Sequence, residues 1–171
     1  GNLLWDYQEG MMTKGYMSPG HNSVYYDEVT GEAFIIFHTR FPGRREEYEV
    51  RVHRLIFNED GWPSVAPQRY GGEPLRFESE FEELSGTYMW IKTTQELSAE
   101  KDRAIFLEIK GNQVYGYEEL RNFDTEETAD FAGEIELSDE GVTTIKIAGQ
   151  TITGNFYYQW DDVLKAETLG F

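Results

Sequence analysis

The sequence predicts an all-β fold built from short antiparallel strands. Val, Ile, Thr, Tyr and Phe recur in brief runs that Gly, Asn and Asp interrupt, a composition typical of strands and tight turns. Aromatic residues make up 15% of the chain, and glycine occurs 17 times. No segment keeps the 3.6-residue apolar period of a long helix. Turn residues separate runs in which apolar and polar side chains alternate with a period of two. This pattern indicates hairpin-linked strands.

The first region, to about residue 70, predicts four strands. Its turns are Asp27-Glu28-Val29-Thr30-Gly31, Phe41-Pro42-Gly43-Arg44 and Asn58-Glu59-Asp60-Gly61, each with a glycine that can adopt positive φ. Proline interrupts the fourth run, which indicates a terminal or edge strand. Four strands in about 45 residues match the size of one propeller blade. The predicted strands cover residues 22–26, 33–38, 48–57 and 62–70.

Gly71-Gly72-Glu73-Pro74 is the predicted linker, which divides the chain into domains 1–72 and 73–171. Six further strands are predicted, with tight hairpins at Lys110-Gly111-Asn112-Gln113 and Ala148-Gly149-Gln150. Ser98 caps at most one helical turn. We expect this second sheet to close into a small β-barrel, because closure removes exposed strand edges. The predicted strands cover residues 84–94, 103–110, 113–120, 134–137, 142–147 and 151–160.

Charge and composition exclude several classes of partner and site. The chain has 32 Asp plus Glu against 15 Lys plus Arg, a formal net charge of −17, which repels nucleic acid and anionic membrane surfaces. No apolar stretch approaches the roughly 20 residues that span a bilayer, and no signal peptide is predicted at Gly1. The absence of cysteine excludes disulfides, thiolate metal sites and cysteine nucleophiles.

Four sequence blocks follow one another within about fifty residues. They are Ser18-Pro19-Gly20-His21-Asn22-Ser23, Phe37-His38-Thr39-Arg40-Phe41-Pro42-Gly43-Arg44, Glu49-Val50-Arg51-Val52-His53 and Asn58-Glu59-Asp60-Gly61-Trp62-Pro63. In this order they resemble the end of the catalytic β-propeller of glycoside hydrolase family 43, in particular its endo-α-1,5-L-arabinanases. The second region is similar to the β-barrel module that follows the propeller, with the weaker markers Gly86-Thr87-Tyr88 and 154–161.

The resemblance implies the C-terminal part of an arabinan-degrading hydrolase: the last propeller blade plus an accessory barrel. The implied substrate of the parent is plant cell-wall arabinan, and the implied parent is secreted or attached to the cell surface. A five-bladed propeller needs about 250 further residues upstream, so we expect this chain to be a fragment or a short relative. Two other interpretations stay open: a noncatalytic carbohydrate-binding or structural module, and a small-ligand carrier barrel.

The resemblance assigns no catalytic residue to this chain. Family 43 enzymes invert the anomeric centre with a general acid and a general base, roughly 6.5–9.5 Å apart, helped by a third carboxylate. In the family all three belong to earlier blades, so we expect the chain alone to be inactive. The acidic pairs Glu46-Glu47, Glu82-Glu83 and Glu126-Glu127 are interpreted as solvated surface groups.

His21 is the one metal-ligand candidate. The resemblance places it on the propeller axis as a ligand of a central metal, usually calcium, only in a complete propeller; no cofactor is expected for this chain alone. His38 and His53 are interpreted as structural, and Arg40 and Arg44 as holding loops through carboxylates. Aromatic residues of the second region either pack the core or bind sugar, and core packing is favoured. These aromatic residues are Tyr88, Trp90, Tyr115, Tyr117, Tyr157, Tyr158 and Trp160. Without a neighbouring blade, the exposed blade edge is also expected to permit self-association.

Overall fold

The computed structural model describes residues 16–41, 47–58, 60–78, 80–91, 104–118, 129–138, 141–161 and 164–171. Within these ranges the chain forms thirteen strands and one four-residue helix, so the all-β prediction is confirmed. No helix in the described ranges is long and apolar enough to cross a membrane.

The elements are β1 (Met17–Tyr26), β2 (Ala33–Arg40), β3 (Glu49–Phe57), β4 (Pro63–Val65), β5 (Phe77–Glu78), α1 (Phe81–Leu84), β6 (Gly86–Ile91), β7 (Ala104–Lys110), β8 (Gln113–Tyr117), β9 (Phe131–Leu137), β10 (Thr143–Ile147), β11 (Gln150–Gly154), β12 (Phe156–Asp161) and β13 (Ala166–Gly170). The strands form three sheets. Sheet A has the order β1-β2-β3-β4, sheet B the order β13-β12-β5, and sheet C the order β11-β10-β9-β8-β7-β6. Neighbouring strands pair antiparallel throughout sheets A and C, and β12 pairs antiparallel with β5 in sheet B.

The chain divides into two compact units. Unit 1 contains the described residues up to Leu75 together with Tyr158–Gly170, and unit 2 contains Arg76–Tyr157 with Phe171. Sheet A belongs to unit 1 and sheet C to unit 2. The assignment of residues 1–72 to a propeller blade and 73–171 to an accessory barrel stays a prediction.

Strand β1 contains two bulges. Met17 pairs with Arg40, Gly20 with His38, and Ser23 with Ile36, so three steps on β1 oppose two on β2 in each interval. Each interval therefore carries one extra residue, which bends a strand and increases its twist. Ser18 and His21 lie in these intervals with φ of 48° and 52°, in the left-handed region that non-glycine residues seldom adopt.

The turns of unit 1 follow the predicted chemistry. The Asp27 carboxylate accepts the backbone N–H of Val29 at 2.8 Å, and Gly31 closes this turn with φ of 75°. Gly61 likewise has φ of 77°, and the Asn58 side chain accepts the N–H of Trp62 at 2.8 Å. The short strand β4 pairs with β3 at one end of sheet A, so the predicted edge strand is confirmed.

Sheet C is a six-stranded meander whose apolar side chains form the core of unit 2. Ile109, Val114, Ile135, Ile145 and Ile147 are each at most 3% exposed. These side chains alternate along their strands with polar residues, as expected for one buried face.

Gly133 allows strands β9 and β10 to approach each other closely in sheet C. An added Cβ at position 133 would lie 2.1 Å from the backbone oxygen of Lys146 on the paired strand β10. Gly133 is therefore required by close approach of the backbone rather than by a turn.

The structure departs from the sequence prediction in several places after the linker. The single strand predicted for 151–160 is two strands, which Asn155 separates. The helix α1 and the strands β5 and β13 were not predicted. In the described residues, the strands after the linker form curled antiparallel half-barrel sheets, in agreement with the small β-barrel module that was expected. The predicted turn at 41–44 and helical turn at 98–101 fall largely or wholly outside the described residues.

Candidate functional site: the β1 block and the buried histidine

The bulged part of β1 presents His21 to solvent. Its ring lies edge-on to that of His38 on β2, with centroids 5.7 Å apart, and His38 packs against Tyr48 at 4.4 Å. Arg40 donates to the Ser18 hydroxyl at 3.1 Å, and its guanidinium lies 5.5 Å from the Tyr48 ring centre. A left-handed backbone at non-glycine residues such as Ser18 and His21 costs free energy, and it persists only where the surrounding structure fixes it. Such residues cluster at functional sites.

The side chains near His21 do not by themselves form a calcium site. Calcium takes six to eight oxygen ligands, whereas His21 and His38 offer ring nitrogens. In the described ranges, no group of three or more His, Asp or Glu side chains is arranged to hold a metal ion. The assignment of His21 as a metal ligand therefore stays a prediction about a complete propeller.

His53, in the middle of β3, is almost fully buried, with 2% of its surface exposed. Its Nδ1 lies 2.6 Å from the backbone oxygen of Ala66, and its Nε2 lies 2.8 Å from the hydroxyl of Tyr16. Burial lowers the pKa of His53, and the nearby Arg51 and Arg69 lower it further, against an opposing contribution from Ala66. The neutral ring therefore fits its surroundings, in keeping with the structural role predicted for it.

Arg54, the next residue on β3, is also 2% exposed and points to the opposite face of sheet A. Its Nη2 donates to the Glu73 backbone oxygen at 2.6 Å and to the Glu32 carboxylate at 3.2 Å. Its Nη1 lies 3.6 Å from the Glu73 carboxylate. The guanidinium also lies 5.1 Å from the ring centre of Tyr70 and 5.9 Å from that of Phe34.

This set of residues, the Arg54 cluster (Arg54, Glu32, Glu73, Tyr70 and Phe34), fastens the segment after β4 to sheet A. The other oxygen of Glu32 accepts the Leu75 N–H at 3.0 Å, and Glu73 accepts the Gly71 N–H at 2.8 Å. Sequence reasoning missed the cluster. One signal was available in the sequence: Arg54, a charged residue next to His53, directly precedes the apolar residues that end β3. This pattern indicates a strand that is buried on both faces.

An open groove of about 570 Å³ lies on the same face of unit 1. Its walls combine aromatic and aliphatic side chains with the polar groups of the Asp27 turn. Tyr25 is 54% exposed and its ring stacks on Phe34, with centroids 6.4 Å apart. The lining residues are Tyr25, Asp27, Thr30, Glu32, Phe34, Ile36, Val52, Tyr70, Gly72 and Pro74.

The remaining candidates are spread over the surface and the core. Glu47, Glu82 and Glu83 are exposed, while Arg44, Glu46 and the pair at 126–127 lie outside the described residues. Of the aromatic residues singled out in the second region, Tyr117 and Tyr157 are buried. The other five are half-buried, which favours packing over a flat sugar-binding platform.

Comparison with known proteins shows the relationship directly. An extracellular endo-α-(1→5)-L-arabinanase of Bacillus subtilis is 40% identical over 157 residues, which cover 92% of this chain and 31% of that protein. An extracellular endo-α-(1→5)-L-arabinanase of Thermotoga petrophila is 55% identical over 84 residues, 49% of this chain and 18% of that protein. A scan against models of protein families gives no match.

Solved structures give the same answer. A family 43 glycoside hydrolase of Bacillus licheniformis superposes with a TM-score of 0.71 at 36% identity, covering 92% of this chain and 33% of that one. The endo-1,5-α-L-arabinanase of Thermotoga petrophila gives a TM-score of 0.70 at 36% identity, covering 91% and 32%.

Sequence and fold thus relate this chain to proteins of glycoside hydrolase family 43. More closely, the chain is homologous over almost its whole length to one part of the endo-α-1,5-L-arabinanases, which confirms the resemblance found in the sequence. It spans about a third of the length of the first relatives that it matches.

Proposed function

We propose that this chain is the C-terminal part of an endo-α-1,5-L-arabinanase, an inverting glycoside hydrolase of plant cell-wall arabinan. The observation that carries the proposal is the 40% identity to a named arabinanase over 92% of this chain, which covers only 31% of that relative. This identity shows that the two chains are homologous, but the fraction covered leaves about two thirds of the relative unmatched. The reaction is therefore proposed for a longer parent polypeptide.

Within that parent, this chain supplies supporting structure and no catalytic acid or base. Inversion needs two carboxylates on opposite sides of the scissile bond, with room for a water between them. Glu82 and Glu83 are both exposed on α1, and Glu47 is exposed immediately before β3. Exposed groups of this kind lack the buried or closely paired surroundings that tune a carboxyl group for acid–base catalysis.

We further propose that the parent is secreted and that arabinan or arabino-oligosaccharides are its ligands. The relatives from Bacillus subtilis and Thermotoga petrophila are both described as extracellular arabinanases. The net charge of −17 also agrees with a neutral polysaccharide rather than an anionic polymer as the substrate.

The direct test is to read the gene on either side of this sequence and express the whole reading frame. We expect a continuous frame that adds several hundred residues before Gly1, and a product that releases arabino-oligosaccharides from debranched arabinan. A start codon immediately before Gly1, or a full-length product that leaves arabinan intact, would contradict the proposal.

One observation supports a second candidate function, that of a noncatalytic carbohydrate-binding module. The lining of the groove in unit 1 includes aromatic rings and the carboxylates of Asp27 and Glu32, a combination that can stack on sugar rings and accept hydrogen bonds from hydroxyls. Calorimetric titration of the chain with arabinotriose and with cellotriose, using Tyr25→Ala as the matched variant, tests it. Binding of arabinotriose alone, lost in the variant, would favour this candidate.

A further inference from the structure

His53 joins three separate pieces of unit 1. It lies on β3, its Nδ1 faces the oxygen of Ala66 just after β4, and its Nε2 faces the hydroxyl of Tyr16 just before β1. These partners are 13 and 37 residues away in sequence. A single side chain therefore links the chain segments at two different ends of sheet A.

The partners determine the state of the ring. A carbonyl oxygen only accepts hydrogen bonds, so Nδ1 carries the proton that it donates to Ala66. In a neutral imidazole the other nitrogen then has a free lone pair, and Nε2 accepts the hydroxyl proton of Tyr16. In this direction the bond requires the neutral ring, because a protonated Nε2 becomes a donor and the Tyr16 hydroxyl must then turn round to accept.

The surroundings oppose a charged ring. The charged groups that act on His53 are cations, Arg51 on its own strand and Arg69 in the segment after β4. From the segment before β1 the facing titratable group is the Tyr16 phenol, and from β2 the ring of Phe37 packs at 5.4 Å. Protonation would thus bury a positive charge among cations and aromatic rings, which costs free energy.

The two linked segments differ in how else they are held. Ala66 also donates its N–H to the Arg54 backbone oxygen at 2.9 Å, and Tyr70 donates to Val52 at 2.8 Å. Tyr16 packs its ring on Phe37 and Phe41, with centroids 5.8 and 5.5 Å away. Backbone hydrogen bonds thus hold the segment after β4 in place. At the start of β1, the pairing of Met17 with Arg40 is supplemented by the side-chain contacts of Tyr16, one of which is to the His53 ring.

We propose that His53 is an acid-sensitive latch. It holds the start of β1 against β3 while its ring is neutral, and it weakens that attachment when the ring takes a proton. Because His21 lies four residues into the same strand, release of the latch would loosen the strained block that carries it. The inference concerns the described residues of this chain and does not depend on arabinanase activity.

The sign of the pH effect follows from the lowered pKa of His53. The ordinary value is 6.5, and the folded state resists protonation while the unfolded state does not. The contribution to stability is therefore complete above about pH 6.5 and declines as pH falls below it, until the folded pKa is reached. Each unit by which the folded midpoint lies below 6.5 corresponds to about a tenfold loss in the folding equilibrium.

The test is an NMR titration of the three imidazoles in the full 171-residue chain. His21→Gln and His38→Gln assign the other two signals. We expect His53 to titrate below pH 6.5 and its midpoint to move upward in Tyr16→Phe, which keeps the packed ring and removes only the hydroxyl. Tyr48→Phe is the matched control, because Tyr48 packs on His38 rather than on His53, and it should leave the His53 midpoint unchanged.

Amide hydrogen exchange gives a second readout in the wild-type chain. Corrected for intrinsic rates, protection of the amides of residues 17–23 (Pro19 has none) should fall between pH 7.5 and pH 5.0, while protection in β9 and β10 should not. A His53 midpoint at or above 6.5, or one that Tyr16→Phe leaves unchanged, overturns the proposal. Equal loss of protection in β1 and β10 on acidification overturns it as well.

Discussion

Unit 1 and unit 2 are both built from short strands, but they differ in which side chains they bury and which they expose. Among the described residues, the buried polar or charged side chains of unit 1 are Thr39, His53, Arg54, Glu73 and Gln159, against Glu108 and Thr143 in unit 2. Unit 1 also exposes more large apolar side chains. They are Val24, Tyr25, Tyr26, Val29, Tyr48, Val50, Phe57, Trp62, Val65 and Leu164, whereas unit 2 exposes Phe77 and Phe171.

This difference indicates that unit 2 is the more self-sufficient of the two units. Sheet C buries a regular apolar face, and its stability rests on shape and close packing. Sheet A buries His53 and Arg54 beside its apolar core and leaves many large apolar side chains exposed, a distribution that suits a sheet with a further neighbour, since large exposed apolar patches mark interaction surfaces. This contrast supports the proposal that unit 1 belongs to a longer enzyme, and it explains why self-association of the chain alone is expected.

The largest expected effect is a steric one in unit 2. Gly133→Ala places a Cβ 2.1 Å from the Lys146 backbone oxygen, and β9 and β10 must separate to relieve the contact. We expect a loss of about 4 kcal/mol or more in the free energy of unfolding, measured by urea denaturation.

Gly20→Ala is the matched control in unit 1, because the nearest atom to its added Cβ, on His38, is 4.0 Å away. It should cost less than about 1 kcal/mol. Equal losses for the two variants would show that close approach in sheet C does not limit the stability of unit 2.

The next effect is electrostatic and belongs to unit 1. Arg54→Met leaves Glu32 and Glu73 without their buried cation, and breaking a buried ion pair in this way costs about 3–5 kcal/mol. Arg51→Met is the control. Its pair with Glu49 is partly exposed, at 19% and 32% of the two side chains, and its guanidinium lies 4.5 Å from the Phe41 ring centre.

The control should therefore cost only about 1–2 kcal/mol, from a weak ion pair and a cation–π contact. Thermal and urea unfolding of both variants measure the difference. If Arg51→Met destabilises the chain as much as Arg54→Met, burial of the cluster is not what fastens the segment after β4.

A smaller effect is expected at the strained block of β1. His21 has φ of 52°, which a β-branched residue tolerates poorly and a glycine accepts. We expect His21→Gly to be more stable than His21→Val by about 1–2 kcal/mol. At Ser23, which is paired regularly with Ile36 outside the left-handed region, the order should reverse. The same order at both positions would mean that the bulge carries no strain.

Much of the fold was predictable because its signals are local. The turns at Asp27 and Asn58, the edge strand after Trp62 and the strands from β7 to β10 follow from glycine, proline and period-two patterns. The relationship to arabinanases was also evident from four blocks in unit 1. What could not be predicted depends on distant partners: the Arg54 cluster joins residues 19 and 22 positions apart, and Tyr16 meets His53 across 37 positions.

The bulges of β1 show the same limit. Neither Ser18 nor His21 requires a left-handed backbone, so the bulges could not be located from residue type alone; they are defined by the register of β1 with β2 on both sides of the block. The break at Asn155 and the return strand β13 were likewise set by pairing within sheet B, which a reading of one segment at a time does not capture.

We propose that this chain belongs to an arabinan-degrading enzyme whose catalytic acid and base lie outside it. This is tested by an assay of the purified 171-residue chain on debranched arabinan, following the release of reducing ends. We expect no release above the buffer control, at any protein concentration at which the chain stays folded. Release of reducing ends that a single Asp or Glu substitution in this chain abolishes would contradict it.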